Sequence, residues 1–170
     1  MASERPRHLM RNATIWVNRL SQIGQASEIG FPELKRKTEE VFNAGMEVPI
    51  DVAMGYEKIE NSFKMTGFDP EILKLFGLSI GTETEYMATA ANVDDDGTTH
   101  SMVAYFRGMI TEVNPDHHKR GDKTELEYKM SFRYYKLEID GQPIYEIDPF
   151  EVKIGGVSQT AGIRRAMLVG

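Results

Sequence analysis

The chain of 170 residues contains no cysteine. That absence excludes a disulfide framework, a thiolate metal site and a cysteine nucleophile. Also missing is any apolar run near the roughly 20 residues that a membrane-spanning helix requires, so no membrane anchor is expected. The opening residues, MASERPRHLMRNATIW, carry charge but no apolar segment of the kind a secretory signal needs, and synthesis in the cytosol is the expectation. A basic excess is absent too: 20 Lys and Arg against 26 Asp and Glu leave a formal charge of −6. Phosphate neutralisation supplies most of the affinity of a groove that grips nucleic acid, so such a groove is not expected here. A surface past which DNA slides without adhering stays open. The sequence has no G-x-S-x-G nucleophile motif, no G-x-x-x-x-G-K-[ST] phosphate loop, and no G-x-G-x-x-G after a strand.

What is present is a soluble composition, 41% hydrophobic and 27% charged, long enough for one domain with a core. Its most informative stretch is EYKMSFRYYKLEIDGQPIYEIDPF at 127–150. Tyr128, Met130, Phe132 and Tyr134 alternate with Glu127, Lys129, Ser131 and Arg133, which is the period of a strand with one buried face. At Tyr134-Tyr135 the parity flips, and Tyr135, Leu137 and Ile139 become the apolar set. A flat strand cannot keep one face buried through such a flip; a bulge, or a bend from one sheet onto another, can. Asp140-Gly141 then supplies a turn into a returning strand at 144–147.

Elsewhere, residues 1–12 form a basic arm, either a flexible end or a segment that orders against a neighbouring subunit. A short strand at 13–18 carries Trp16, and Gly24 and Gly30 bracket a loop. Residues 34–42 are arguable as helix or strand, whereas Val48, Ile50, Val52 and Met54 alternate cleanly, and 59–65 continues as strand. Asp69-Pro70-Glu71 reads as N-cap, first helical position and first turn of a short helix ending near Gly77. A hairpin follows at 83–93 and 98–113. Both parities of its second arm are partly apolar, which suits burial on two faces, either inside the domain or against another subunit. The end of the chain, 157–170, reads as a short helical tail with Arg164-Arg165 outward.

Chemistry-bearing clusters are weak. Residues 92–97 (NVDDDG) imitate the start of a calcium loop, but the twelfth position is Val103 where a bidentate glutamate is needed. His117-His118 beside Asp116 lies in a polar loop without metal-ligand spacing, and His8 and His100 stand isolated. No catalytic, cofactor or metal residue is assigned. The carboxylates Glu138, Asp140, Glu146 and Asp148 read as a solvated strand face.

YYKLEIDG at 134–141, YEIDP at 145–149, GGV at 155–157 and an arginine-containing tail resemble the tube protein of contractile phage tails, the group shared by P2-like phages and R-type bacteriocins. FPELKRKTEE at 31–40, Ala44-Gly45-Met46 with Pro49 and Met54-Gly55, Phe76-Gly77-Leu78 and Arg107-Gly108 fit the same resemblance, which runs from about Phe31 to Gly170. It implies a mainly β fold of two packed antiparallel sheets, a barrel-like sandwich with one short α-helix and a short C-terminal helical tail. Residues 13–170 would be a single tail-tube domain, and 34–42 a strand. Six subunits would form a ring whose sheets join into a barrel, and rings would stack into a hollow, non-enzymatic conduit for genome delivery through the host envelope. The implied partners are further copies of the chain, the sheath protein outside, the tape measure protein and viral DNA in the lumen, and the tail terminator and baseplate hub proteins at the ends. The subunit-interface residues expected are Ala44, Gly45, Met46 and Pro49, in a loop that reaches an adjoining subunit or is an ordinary hairpin connection, and Met102, Tyr105, Arg107 and Met109 on the two-sided strand. The alternative is a monomeric small-ligand-binding β-barrel; an enzyme using surface carboxylates has no support beyond their number.

Overall fold

The computed structural model describes residues 4–77 and 79–169. The start of the basic arm, Leu78 of the Phe-Gly-Leu motif and the final Gly170 lie outside the described residues. In chain order the elements are β1 (Leu9–Val17), β2 (Leu20–Ser21), β3 (Ala26–Ile29), β4 (Arg36–Val41), β5 (Ile50–Tyr56), β6 (Ile59–Thr66) and α1 (Pro70–Leu73). Then come β7 (Thr84–Val93), β8 (Thr99–Pro115), β9 (Glu125–Ile139), β10 (Gln142–Ile147), β11 (Val152–Ile154), β12 (Val157–Ser158) and α2 (Ala161–Ala166).

The long hairpin β8–β9 is the spine, and each of its arms serves two layers. In one layer the strand order is β12-β11-β10-β9-β8-β7-β1-β2. In the other, the first half of β9 pairs with β6 from Ile59↔Phe132 to Thr66↔Glu125, and β6 pairs in turn with β3. The changeover lies where the register of β8 and β9 slips between Arg107↔Tyr134 and Gly108↔Phe132, leaving Arg133 as the extra residue. Leu126, Tyr128, Met130 and Phe132 are buried before the slip, and Tyr135 and Leu137 after it. The bulge therefore converts the parity flip of the sequence into a bend that keeps one face inward throughout. All pairings are antiparallel, and β4 and β5 form a second sheet of their own.

One core fills the space between the layers. Phe106 stacks on Phe132 with ring centroids 4.7 Å apart and on Tyr135 at 5.2 Å, and Phe63 stacks on Tyr128 at 4.9 Å. Burial of each such side chain contributes about 1.5–3 kcal/mol. Helix α1 closes one end of this core through Ile72, which is buried, and Asp69 caps it by accepting the Glu71 N–H at 2.9 Å. The Asp140-Gly141 turn has positive φ at both residues, +51° and +76°, as a two-residue hairpin of this hand demands.

Several boundaries differ from the expectation. β1 begins at Leu9 rather than Ala13, because Leu9 and Met10 pair with Val93 and Asn92. The expected loop between Gly24 and Gly30 contains β3, whose Ala26 and Ile29 pack against the core. The helix is a single turn with its C-cap at Lys74, so Gly77 (φ +87°) belongs to the turn that follows. The tail is helical only over Ala161–Ala166, since Val157 and Ser158 pair with β11.

Candidate assembly surfaces

The hairpin β4–β5 stands outside the hydrogen-bonded body. Its strands pair from Val41↔Ile50 to Arg36↔Tyr56, with a register shift between Arg36 and Thr38. Every residue of β5 is exposed, including Ile50, Val52, Met54 and Tyr56, and Phe42 and Val48 near the tip are exposed as well. Alternation places Ile50, Val52 and Met54 on one face, and the register shift carries Tyr56 to the other face opposite Arg36, whose guanidinium lies 5.7 Å over its ring. A β-strand pattern that would ordinarily signal a half-buried strand is thus bare in the single chain. The tip is a tight turn in which the Met46 N–H donates to the Asn43 carbonyl at 3.1 Å and Gly45 has φ +87°. Ala44, Gly45 and Pro49 are exposed and Met46 is half-buried. The strand was legible in its alternation. That its apolar face has no covering layer was not, and Ile50, Val52, Met54 and Tyr56 are the surface residues sequence reasoning missed.

A second surface lies on the outward face of β8, on both sides of the bend. Tyr105, Arg107 and Met109 point outward from β8 and are exposed. Met102 does not share that face: it has the parity of buried Ala104 and Phe106 and packs against the core. Arg107 Nε lies 3.1 Å from Glu83, which also accepts Arg133 at 3.2 Å, and the Arg107 guanidinium sits 5.4 Å over the Tyr134 ring. The Tyr134 hydroxyl donates to Glu146 at 3.2 Å, and burial, then the nearby Glu146 charge, raises its pKa. Tyr105, Arg107 and Tyr134, with Trp16, Met87 and Lys136, line an open concavity of about 590 Å³, and Met109 lies outside it. The concavity is on the outside of the sheet. The barrel interior that the ligand-binding alternative needs is filled by the stacked aromatic core, and that alternative is not favoured.

The four carboxylates singled out in the sequence have structural partners. Glu138 pairs with Lys136 at 2.9 Å, Glu146 holds Tyr134, and Asp148 accepts the N–H groups of Phe150 and Glu151 at 2.7 and 2.9 Å. Asp140 reaches His100: its Oδ2 lies 2.6 Å from Nδ1. On the other side of that ring, Nε2 lies 3.2 Å from Oδ2 of Asp94, and the His8 ring centroid lies 4.4 Å away, tilted by 38°. Hydrogen bonds to the Asp140 carboxylate, then to that of Asp94, raise the His100 pKa. The His8 backbone N–H, chiefly, lowers that of Asp94, and His100 then Ser101 lower that of Asp140. The sequence reading of His8 and His100 as isolated is therefore corrected: pairing of β1 with β7 brings them together.

Comparison with known proteins gives a consistent result. The family model described as phage tail tube protein FII matches residues 7–167. The chain is 29% identical over 141 residues to the major tail tube protein of Serratia phage KSP20, covering 82% of this chain and 81% of that protein. It is 27% identical over 171 residues to the tail tube protein of Escherichia phage P2, covering 97% and 98%. Among solved structures, a chain in the sheath–tube complex of an extracellular contractile injection system in its extended state aligns with a TM-score of 0.57 at 10% identity, over 81% of this chain and 93% of that one. A chain of the anti-feeding prophage baseplate aligns with a TM-score of 0.55 at 8% identity, over 81% and 97%.

Proposed function

The chain belongs to the phage tail tube protein FII family and is a structural subunit of a virion tail, and on that premise we propose that it works by passive assembly into stacked hexameric rings. The observation that carries the proposal is the bare apolar face of β4–β5. An isolated two-stranded hairpin is marginally stable in water, and one that exposes Ile50, Val52, Met54 and Tyr56 gains its burial from a neighbouring copy. The turn at Ala44, Gly45 and Met46, with Pro49 beyond it, leads that hairpin into the adjoining subunit. Tyr105, Arg107 and Met109 form a second contact, covered by another copy, with Met102 supporting the strand from the core side.

Ring closure would also remove sheet edges. Over its last part, Met109 to Pro115, β8 pairs with β9 on one side and not with β7 on the other. Edges of this kind favour joining to a strand of a second copy, and repeated head-to-tail joining closes a ring when the rotation permits. Residues 13–170 act as one tube unit, and the end of the arm, from Leu9 to Asn12, continues β1 along β7. The rings stack into a conduit that a sheath drives and through which DNA passes, with the tape measure protein inside during assembly and terminator and baseplate hub proteins at the ends. No step requires catalysis, and the net charge of −6 disfavours adhesion of phosphate to the wall.

Electron microscopy of the purified protein across a concentration series, alone and seeded with fragments of assembled tube, tests the proposal. Rings or hollow tubes of constant diameter are expected. A chain that stays monomeric at every concentration and does not extend the seeds overturns it.

A further inference from the structure

Three side chains distant in sequence meet at one end of the larger layer. His8 precedes β1, Asp94 lies in the turn between β7 and β8, and His100 opens β8; one ligand atom from each falls within 4.8 Å of the others. We propose that His8, Asp94 and His100 form a binding site for a divalent transition metal, Zn²⁺ by its donor set, with Asp140 positioning His100 from behind. This goes beyond the tube reading and does not depend on it.

Both carboxylates are set in place before any ion arrives. Asp94 is buried, 8% exposed, and its Oδ1 accepts the His8 backbone N–H at 2.7 Å, which turns the other oxygen toward the imidazole. Asp140 Oδ1 accepts the Ser101 N–H at 2.9 Å, and the Asp140 N–H returns to the Ser101 carbonyl at 2.8 Å. Asp140 Oδ2 is thereby aimed at His100 Nδ1, 2.6 Å away. When Nδ1–H donates its hydrogen bond to this carboxylate, Nε2 of the neutral ring keeps a lone pair, the arrangement found behind metal-ligating histidines.

Nε2 then faces Asp94 Oδ2 at 3.2 Å. Two lone pairs at that distance repel unless a positive charge sits between them. The charge is either a second proton on the imidazole or a metal ion. Zinc bonds to nitrogen and oxygen are about 2.0–2.2 Å, so two ligands of a tetrahedral site stand about 3.3–3.5 Å apart. The Asp94–His100 pair already spans close to such an edge. His8 supplies the third donor from a ring whose centroid lies 4.4 Å from that of His100 and is tilted 38° to it, and three ligands leave a fourth position for water. Two imidazoles and one carboxylate suit zinc better than calcium or magnesium, which take oxygen. Asp96, the neighbouring acid of the turn, instead accepts the Thr98 N–H at 2.9 Å.

A metal here would clasp the N-terminal arm to the ends of two hairpins, since the Pro6 carbonyl also accepts the Asp95 N–H at 3.0 Å beside it.

The test is titration of the chelator-treated, full-length protein with ZnCl₂ by calorimetry, and with CoCl₂ by visible absorption. One Zn²⁺ per chain and a cobalt band of four-coordinate intensity are expected. His8→Asn removes the imidazole while tolerating the positive φ of 53° at this position, and it should abolish the one-to-one site, as should Asp94→Asn. Asp140→Asn should weaken binding about 10- to 100-fold with the fold intact by circular dichroism. The double change His117→Ala with His118→Ala, in the exposed loop, should leave binding unaltered. Absence of one-to-one binding in the wild type, or binding that survives His8→Asn and disappears in the loop double variant, overturns the site. Undiminished affinity in Asp140→Asn overturns the positioning role.

Discussion

Gly108 faces Phe132 across the β8–β9 bend with no room between them for a side chain: a Cβ on Gly108 would stand 2.8 Å from the Phe132 Cα and closer still to the Ser131 carbonyl oxygen. The close approach occurs at the register slip, where the hairpin passes from one layer to the other. Both clashing groups are backbone, so relief requires the bend itself to open. Gly108→Ala is expected to lower stability by about 1–3 kcal/mol or more, read as a fall in the urea midpoint of the monomer. An unchanged midpoint would mean that the two strands are not held together at this corner.

Gly45 presents the opposite case. Its φ is +87° and nothing lies within 4 Å of the Cβ position, so a substitution there strains the turn without touching the body. Gly45→Val should leave the circular dichroism of the monomer unchanged, with a local backbone penalty of about 1–2 kcal/mol, and should abolish ring and tube formation. Normal tubes from this variant, seen by electron microscopy, would remove the docking role of the turn.

Met109 is 58% exposed on the outward face of β8. Met109→Asp should shift monomer stability by no more than about 0.5 kcal/mol and yet suppress assembly, because it buries an unpaired charge only when a second copy covers that face. Sedimentation velocity separates the two effects. Assembly equal to wild type would place the contact elsewhere.

Burial pushes the pKa values of Tyr86, Tyr128 and Tyr135 up to about 12. A folded-state value above the unfolded value of about 10 means that the stability these groups contribute is fully present below pH ~10 and is lost as pH rises toward 12. Of the seven tyrosines, these three should ionise last, together with an alkaline unfolding transition. Ultraviolet phenolate absorbance alongside circular dichroism checks this. Reversible ionisation of all seven near pH 10 in the folded protein would contradict the burial. Tyr128→Phe, which removes a buried hydroxyl with no hydrogen-bond partner among the described residues, should be neutral or stabilising.

Local pattern carried much of this structure. The parity flip at Tyr134-Tyr135 marked the bulge at Arg133 within a residue or two, and Asp69-Pro70-Glu71 marked the start of α1, because both are decided by adjacent residues. What stayed hidden depends on pairings between distant segments. Met102 and Met109 both sit in an apolar strand, and only the register against β7 and β9 assigns them to opposite faces. β3 has four residues and little pattern of its own; its pairing with β6 makes it a strand. His8 and His100 meet because β1 lies against β7, a relation that no short spacing encodes.

That same arrangement has a consequence for synthesis. β7, β8, β9 and β10 form a run of consecutive hairpins that zip up as they emerge, each strand beside the one made before it. β1, by contrast, pairs with β7, and β6 with β9, so the segment up to Thr66 leaves the ribosome well before the body that anchors it. Closing those long loops is the slow, entropically costly part of folding. Within that segment the β4–β5 hairpin, like the end of β1 with β2, finds its partner strand at once. The nascent subunit therefore carries its bare apolar hairpin before it has the rest of its sheet, and that apolar strand is exposed throughout synthesis of the body.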